Sequence, residues 1–174
     1  MQNNNQRLLE IVSLSKSYCD LCQEAREYQK GEFIDRTLDI LPRLYWNFFD
    51  IEAGITLEED EFFGSYVDEE IYEQIRRSIA SVIGGDDLFL ETFEEDMKYS
   101  ETPISASISE GMADIFQPLY NFVSIVRDSE GMQLEEAYIS CKEDFENYWS
   151  QTLCNILKAL NNIKYSRKLN DDEL

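Results

Sequence analysis

The sequence predicts an all-α fold, a single-domain bundle of about six helices. Apolar residues recur at intervals of three and four through nearly all of its 174 positions, which is the spacing of a helix that buries one face. No segment alternates between apolar and polar residues as a half-buried strand does. A hydrophobic content of 43%, with ten Phe, ten Tyr and two Trp, supplies enough apolar side chains for a folded core.

The first two predicted helices span residues 7–27 and 31–51. Pro42 lies inside the second helix and predicts a kink there, because a proline removes one helical hydrogen bond and crowds the preceding turn. An acidic loop at residues 58–61 follows and separates these helices from the rest of the chain.

The third and fourth predicted helices are separated by a pair of glycines. The third begins after Asp68, whose side chain is a suitable N-cap, and ends at Gly84-Gly85. Asp86 is predicted to cap a short fourth helix that ends near Lys98.

The fifth helix is predicted to begin at Thr102-Pro103, because a capping residue followed by a proline is typical of a first helical turn. It is expected to reach Asp128, with a second kink at Pro118. The sixth and longest helix is expected over residues 132–165.

The sixth helix is expected at the centre of the bundle, because apolar residues cover more than one of its sides. One stripe consists of Leu134, Tyr138, Cys141, Phe145, Trp149, Ile156 and Ile163. Ile139, Leu153 and Leu157 lie outside that stripe. We expect residues 1–165 to form one domain and the acidic C-terminal tail, residues 166–174, to be frayed.

The charge balance is strongly acidic, with 36 Asp and Glu against 15 Lys and Arg and a formal net charge of −21. Such a charge repels nucleic-acid phosphate and anionic lipid, so neither nucleic acid nor a membrane is expected as a partner. No secretory signal is recognisable, and no window is apolar enough to span a bilayer. We therefore expect a cytoplasmic protein.

No histidine occurs in the chain. Its absence from the sequence excludes the Glu-x-x-His motif of di-iron bundles, histidine-based zinc hydrolases and histidine-assisted nucleophilic triads. The glycine-rich loops that bind nucleotide phosphates do not occur either. No catalytic residue, metal site or cofactor is predicted.

The cysteines do not have the arrangement of a zinc site or of a disulfide framework. Cys19 and Cys22 lie in the middle of the first helix, and Cys154 is expected to point nearly opposite Cys141. Because free thiols are among the most buried side chains, Cys19 and Cys22 are predicted to be core residues.

Carboxylates are the remaining candidates for chemistry. All-α magnesium-dependent nucleotide pyrophosphohydrolases bind metal through acidic residues at helical spacing on adjacent helices, and a superficially similar set occurs here. The set is Glu91, Glu94, Glu95, Asp96, Glu110 and Asp114. Helical geometry places Glu110 and Asp114 about 200° and 240° from the buried face of the fifth helix, so both are expected in solvent.

Asp96 differs from the other carboxylates because it shares a side of the fourth helix with Phe89 and Phe93. A buried carboxylate needs hydrogen-bond partners, and the start of the fifth helix offers backbone N–H groups. We predict that Asp96 is a structural carboxylate that caps the fifth helix, and a ligand-binding role is the alternative.

Trp46 and Phe49 do not follow the core stripe of the second helix. That stripe is Leu38, Leu41, Tyr45 and Phe48. Trp46 lies about 140° from it, on the side of Asp35 and Asp39. One explanation is that Pro42 rotates the phase or that a second helix covers this side. The other is an exposed aromatic patch rimmed by acidic residues, which is typical of a partner site.

Four stretches of the chain together resemble a known family: residues 39–45, 95–100, 104–122 and 145–151. The first is Asp-Ile-Leu-Pro-Arg-Leu-Tyr, and the last is Phe-Glu-Asn-Tyr-Trp-Ser-Gln. They are similar to the small acidic proteins of Bacteroides-type bacteria that form the domain of unknown function 5063 family. The resemblance covers most of the chain and implies a bacterial, cytoplasmic, helical protein, but it carries over no functional residues.

The favoured functional hypothesis is a non-catalytic interaction module that binds a basic protein partner. Its surface would contain Asp35, Asp39, Trp46 and Phe49. The alternative is a magnesium-dependent all-α hydrolase of phosphorylated small molecules that uses carboxylates of the fourth and fifth helices. Mimicry of nucleic-acid charge is a third possibility, and only the net charge supports it.

Overall fold

The structure is a computed structural model that describes residues 2–51, 63–90 and 105–171, with side chains for residues 4–51, 63–90 and 105–166. Its α-helices are α1 (Gln2–Gln23), α2 (Lys30–Asp50), α3 (Glu69–Ile83), α4 (Ile108–Asp128), α5 (Leu134–Asp144) and α6 (Ser150–Asp171). Short 3₁₀ turns follow α1 at Ala25–Glu27 and α3 at Gly84–Asp86, and two short strands are β1 (Leu88–Leu90) and β2 (Ser105–Ser107). The predicted all-α fold is confirmed.

The centre of the bundle is α4, and not the last helix as the sequence suggested. It packs against α1, α3, α5 and α6. Its fully buried side chains include Ile108, Met112, Ile115, Phe116 and Leu119. The last helix packs on more than one side, as expected, because α6 contacts both α2 and α4. Within the described residues, no helix combines the length and the apolar character needed to cross a membrane.

The limits of α3 agree with the prediction at both ends. The carboxylate of Asp68 accepts a hydrogen bond of 2.8 Å from the backbone N–H of Ile71, which satisfies one of the free donors in the first turn. The helix ends at Ile83, and Gly84 follows with a φ of +66°, a conformation that glycine adopts without strain.

The predicted fourth helix is wrong where the structure describes it. Residues after Asp86 form β1, which pairs antiparallel with β2 in the register Leu88 to Ser107 and Leu90 to Ser105. The run Leu-Phe-Leu is too short for its apolar residues to distinguish a helix from a strand. Pairing with a distant segment therefore decides its structure and overrides the local helical spacing. Residues 91–104 lie outside the described part of the chain.

The predicted start of the fifth helix is also wrong, because α4 begins at Ile108 and Ser105–Ser107 is strand. Ser107 is its N-cap, and its hydroxyl accepts a hydrogen bond of 3.2 Å from the N–H of Glu110. Asp87 completes the cap, since its carboxylate accepts the N–H of Ser109 at 2.7 Å and the hydroxyls of Ser107 and Ser109 at 2.9 and 2.7 Å. A carboxylate does cap this helix, but it is Asp87. Asp96, the predicted cap, lies outside the described residues.

The predicted sixth helix is continuous but not uniform. A π-helical turn, Phe145–Trp149, joins α5 to α6. Such a turn holds one extra residue and changes the phase of everything after it. Leu153, expected outside the core stripe, is buried together with Phe145, Trp149 and Ile156. The helix continues to Asp171, past the predicted end at Tyr165.

Both internal prolines lie within unbroken helices, Pro42 in α2 and Pro118 in α4. The carbonyl of Pro118 accepts a hydrogen bond from the thiol of Cys141, at 3.7 Å between oxygen and sulfur. The kinks expected at the two prolines remain predictions.

Candidate functional site

The predicted partner residues Trp46 and Phe49 lie on the outer side of α2, with 61% and 60% of their surface exposed. Their rings lie side by side, 6.1 Å between centroids, and Tyr45 stacks on Phe49 at 6.3 Å. Tyr45 in turn packs edge-on against Phe145 at 5.3 Å. We call Tyr45, Trp46 and Phe49 the aromatic face. It is a group of contacting rings attached to the core through Phe145.

The end of α2 that carries the aromatic face is held from behind by α5. The buried ammonium group of Lys142 donates to the carbonyls of Phe48 and Ile51, each at 2.8 Å. The hydroxyl of Tyr138 donates to the same carbonyl of Ile51 at 2.7 Å, and burial raises the pKa of this phenol. These donors satisfy carbonyls that a helix end otherwise leaves without partners. The backbone beneath the aromatic face is therefore fixed.

The acidic residues beside the aromatic face have basic partners within the chain. Asp35 pairs with Lys164 of α6 at 2.5 Å, and Asp39 pairs with Arg43 one turn further along α2. Asp50 pairs with Arg7 of α1. The local charge around the aromatic face is consequently closer to balance than the net charge of the chain suggests.

The second candidate region contains Asp114, which the sequence placed in solvent. Asp114 is half-buried, because Tyr72 of α3 and Tyr148 of the π-helical turn cover that side of α4. The hydroxyl of Tyr72 donates to Oδ1 at 2.7 Å, and the hydroxyl of Tyr148 donates to Oδ2 at 3.1 Å. Glu110, one turn earlier on the same helix, is exposed as expected.

Asp114 lies in the wall of a cleft of about 330 Å³, which we call the polar cleft. One wall belongs to the start of α4, and the other to the π-helical turn and α6. Its lining residues are Phe89, Ala106, Ser107, Glu110, Gly111, Asp114, Asn147, Tyr148, Gln151, Thr152, Asn155 and Ile156. The two walls meet at Gly111, where an added Cβ would lie 2.6 Å from Cδ1 of Ile156. A larger residue at this position would displace the side chain of Ile156.

Tyr72 keeps its proton firmly, which fixes the direction of its hydrogen bond. Burial, together with the hydrogen bond to Asp114, raises the pKa of this phenol well above its ordinary value. At neutral pH, Tyr72 is therefore a donor to a carboxylate whose position it helps to fix.

Neither region brings together the ligands of a metal ion. In residues 2–51, 63–90 and 105–171, no three His, Cys, Asp or Glu side chains converge on a point. Of the carboxylates in the hydrolase hypothesis, Glu110 and Asp114 line the polar cleft. Glu91, Glu94, Glu95 and Asp96 lie outside the described residues.

The cysteines are structural where they are buried. Cys19, Cys22 and Cys141 are buried and unpaired, whereas Cys154 is exposed. Burial raises the pKa of the Cys22 thiol to about 12 and raises the pKa values of Cys19 and Cys141 well above the usual range. The core placement predicted for Cys19 and Cys22 is confirmed, and their thiols are poor nucleophiles.

The polar cleft was not predicted from the sequence, although one of its walls has a recognisable sequence pattern. Asn147, Gln151 and Asn155 recur at intervals of four, which places three amide side chains on one side of a helix. Tyr72 and Tyr148 carried no such local signal, because each reaches Asp114 from a different part of the chain.

Comparisons with known proteins agree with this architecture. The family model described as "Domain of unknown function (DUF5063)" matches residues 2–166. The crystal structure of protein BF1032 from Bacteroides fragilis is similar, with a TM-score of 0.79 and 31% sequence identity over 92% of this chain and 93% of that one. A search of curated proteins found no match. The chain belongs to the DUF5063 family.

Proposed function

We propose that this protein is a non-catalytic interaction module that binds a basic protein partner through the aromatic face of α2. The observation that carries the proposal is the exposure of Trp46 and Phe49, whose rings are in contact on the outer side of α2, at 61% and 60%. Single exposed apolar residues are ordinary, but contacting aromatic rings offer the kind of anchor on which interfaces depend.

The aromatic face needs little ordering before it binds. Trp46 rests on Phe49, Phe49 on Tyr45, and Tyr45 on Phe145. Lys142 and Tyr138 hold the backbone beneath it. Ring contacts that already exist in the unbound protein do not have to form on association, which favours affinity.

The net charge supports a basic partner, and it acts at long range. A formal charge of −21 produces a negative field that attracts cationic proteins and speeds their encounter. Asp35 and Asp39 lie on the rim, but both are paired within the chain. In this proposal the negative field speeds the encounter with the partner, and Trp46 and Phe49 form the apolar contact. The partner must therefore present apolar side chains as well as positive charge.

Substitution of the two exposed aromatics tests the proposal. The immobilised parent protein and a Trp46→Ala/Phe49→Ala double variant are exposed to lysate of the source organism, and each captured protein is purified and titrated directly. Met132→Ala is the matched control, because Met132 is an apolar side chain 83% exposed elsewhere on the surface.

The expected result is a basic protein that binds the parent and the Met132→Ala control equally well. The double variant should bind it about tenfold more weakly or worse, since anchor residues each contribute on the order of 2 kcal/mol. The association rate should fall as salt is raised. Equal affinity for the parent and the double variant would contradict the proposal.

We also propose that residues 1–165 form one domain and that the protein is cytoplasmic. A single cluster of buried residues includes side chains from α1 to α6, which supports one domain. The cysteines of the described residues are all unpaired thiols, as is usual where the environment is reducing.

A further inference from the structure

We propose that the polar cleft is a binding site for an organic cation, meaning a primary ammonium or a guanidinium group. The proposal concerns a region separate from the aromatic face and does not depend on the proposed partner. It starts from the described residues of the lining, whose charged members are Glu110 and Asp114 and whose other members are neutral polar or apolar.

The negative charge of this cleft has no nearby cation in the described part of the chain. Neither Asp114 nor Glu110 forms an ion pair with a Lys or Arg side chain there, whereas Glu73 and Asp50 each do. Arg76, whose field reaches Glu110, is instead held by Glu73 on its own helix at 2.9 Å. A ligand that brings a positive charge would supply a counter-charge that the described residues do not.

Asp114 is positioned to accept further hydrogen bonds. Each carboxylate oxygen receives one hydrogen bond, from Tyr72 on one side and Tyr148 on the other. A carboxylate oxygen has two lone pairs, so each still has one for an N–H of the ligand. The tyrosines fix the orientation of the carboxylate before the ligand arrives, and an N–H donor with positive charge makes the stronger kind of hydrogen bond.

The opposite wall offers neutral acceptors for the remaining N–H groups. Asn147, Gln151 and Asn155 line the cleft in one row. The amide nitrogen of Asn147 donates to the carbonyl of Glu143 at 3.0 Å, which leaves its oxygen as an acceptor. Phe89 and Tyr148 add aromatic rings, whose faces attract organic cations.

An anion fits this cleft poorly, even though the start of α4 lies at its edge. The first N–H groups of α4 already have acceptors. The N–H of Ile108 donates to the carbonyl of Asp87, and the N–H of Ser109 donates to its carboxylate. The N–H of Glu110 donates to Ser107. A volume of about 330 Å³ suits an organic group of several atoms better than a single metal ion.

The test uses calorimetric titration at 0.15 M NaCl, where non-specific attraction to an acidic protein is screened. The probes are butylammonium and butylguanidinium, with butylurea as the uncharged counterpart. Asp114→Asn removes the charge in the cleft. Glu10→Gln removes one charge at an exposed position of α1 and is the matched control.

The expected result is saturable binding of a cationic probe and none of butylurea. Asp114→Asn should weaken that binding by about tenfold or more, and Glu10→Gln by less than about twofold. Equal weakening in both variants would show a general charge effect and overturn the proposal, as would the absence of saturable binding by both cations.

Two further arms complete the test. If Asp114→Asn unfolds, Tyr148→Phe keeps the charge but removes one supporting hydroxyl, and an affinity unchanged from the parent would then overturn the proposal.

Blocked lysine and arginine amides, compared with blocked citrulline amide, separate a side chain of a peptide from a free small molecule. Tighter binding of the blocked residues than of the alkyl probes identifies a peptide as the source, and the reverse identifies a small molecule.

Discussion

The aromatic face and the polar cleft are opposite in how they are built. The aromatic face lies on one helix, and Tyr45, Trp46 and Phe49 are neighbours in sequence as well as in space. The polar cleft is assembled from distant segments, because Asp114 meets Tyr72 and Tyr148 from positions 42 and 34 residues away. Helical spacing could predict the exposure of Trp46 and Phe49, although it placed Tyr45 in the core stripe and the structure leaves that ring 37% exposed. A cleft between helices depends on how the helices pack.

The two regions also differ in how their polar groups are satisfied. Around the aromatic face, Asp35, Asp39 and Asp50 are paired with basic side chains, and what remains unpartnered is apolar surface. In the polar cleft the hydrogen bonds of Asp114 come from neutral phenols, so its charge is not compensated by them. The first region is therefore suited to apolar contact and the second to a cation.

Among the variants that probe the two regions, the largest expected effect comes from Lys142→Met, which tests the support beneath the aromatic face. Methionine keeps most of the volume but leaves the carbonyl of Phe48 without its donor and that of Ile51 with Tyr138 alone. We expect a loss of about 2–3 kcal/mol in the free energy of unfolding, measured by denaturant titration.

Lys16→Met is the control for that measurement. Lys16 is exposed and pairs with Asp20 one turn along α1, a solvent-screened contact that contributes little to stability. Similar losses in the two variants would mean that Lys142 does not support the end of α2.

The next effect concerns the meeting point of the cleft walls. In Gly111→Ala, the new methyl would lie 2.6 Å from Cδ1 of Ile156 and 3.3 Å from Cγ2 of Thr152, so the side chain of Ile156 must move. We expect a loss of about 1–2 kcal/mol, even though alanine itself favours a helix by about 1 kcal/mol. Thermal or denaturant unfolding measures it.

Two companion variants show whether the clash is the cause. Gly31→Ala in α2 places a methyl where no atom lies within 4 Å, so it should be neutral or stabilising. Adding Ile156→Val to Gly111→Ala removes Cδ1 and should recover part of the loss. A double variant no more stable than the sum of the single changes would exclude this contact as the origin.

A smaller effect tests the phenol that orients Asp114. Tyr72→Phe removes one hydrogen bond to a half-buried carboxylate and should cost about 1 kcal/mol at neutral pH. Because the pKa of Tyr72 is raised in the folded protein, the unfolded chain loses this proton first as pH rises. The contribution is therefore complete below about pH 10 and declines above it.

Unfolding free energies of the parent and Tyr72→Phe, measured from pH 8 to pH 11, give the comparison. Their difference should shrink above about pH 10. A difference that stays constant or grows would contradict the raised pKa. Repeating the pair in an Asp114→Asn background separates the effect of the carboxylate from that of burial, which is the larger cause.

Much of the fold could be predicted because its signals are local. Helical spacing located α3 between Asp68 and Gly84, and those two residues determine its ends in the structure as well. The hairpin could not be predicted in the same way, since Leu88 pairs with Ser107 from a distant position and strand pairing leaves only a weak pattern in three residues. Thr102-Pro103 resembled a helix start, but the capping groups that α4 uses are Ser107 and Asp87.

The two candidate sites also differ in whether local sequence signals could predict them. The position of Trp46 away from the core stripe followed from angles about a single helix. Helical angles failed for Asp114, because they give the direction of a side chain from its own helix. They do not show which residues of a neighbouring helix lie beside that side chain. Tyr72 and Tyr148 cover a side that the sequence of α4 alone leaves open. The π-helical turn at Phe145–Trp149, which sets the positions of Asn147 and Tyr148, has no simple sequence rule either.

The smallest expected effect on stability is that of Trp46→Ala, and its smallness is informative. The side chain of Trp46 is 61% exposed, so its truncation should change the free energy of unfolding by no more than about 0.5 kcal/mol. Trp149 is fully buried, and Trp149→Ala should cost roughly 3–5 kcal/mol. Two thermal melts against the parent therefore separate surface from core without any knowledge of a partner. A Trp46→Ala protein that melts far below the parent would place Trp46 in the core, and the aromatic face would then be structural. A near-parental melt together with lost partner binding would assign Trp46 to recognition, because stability and binding would depend on different tryptophans.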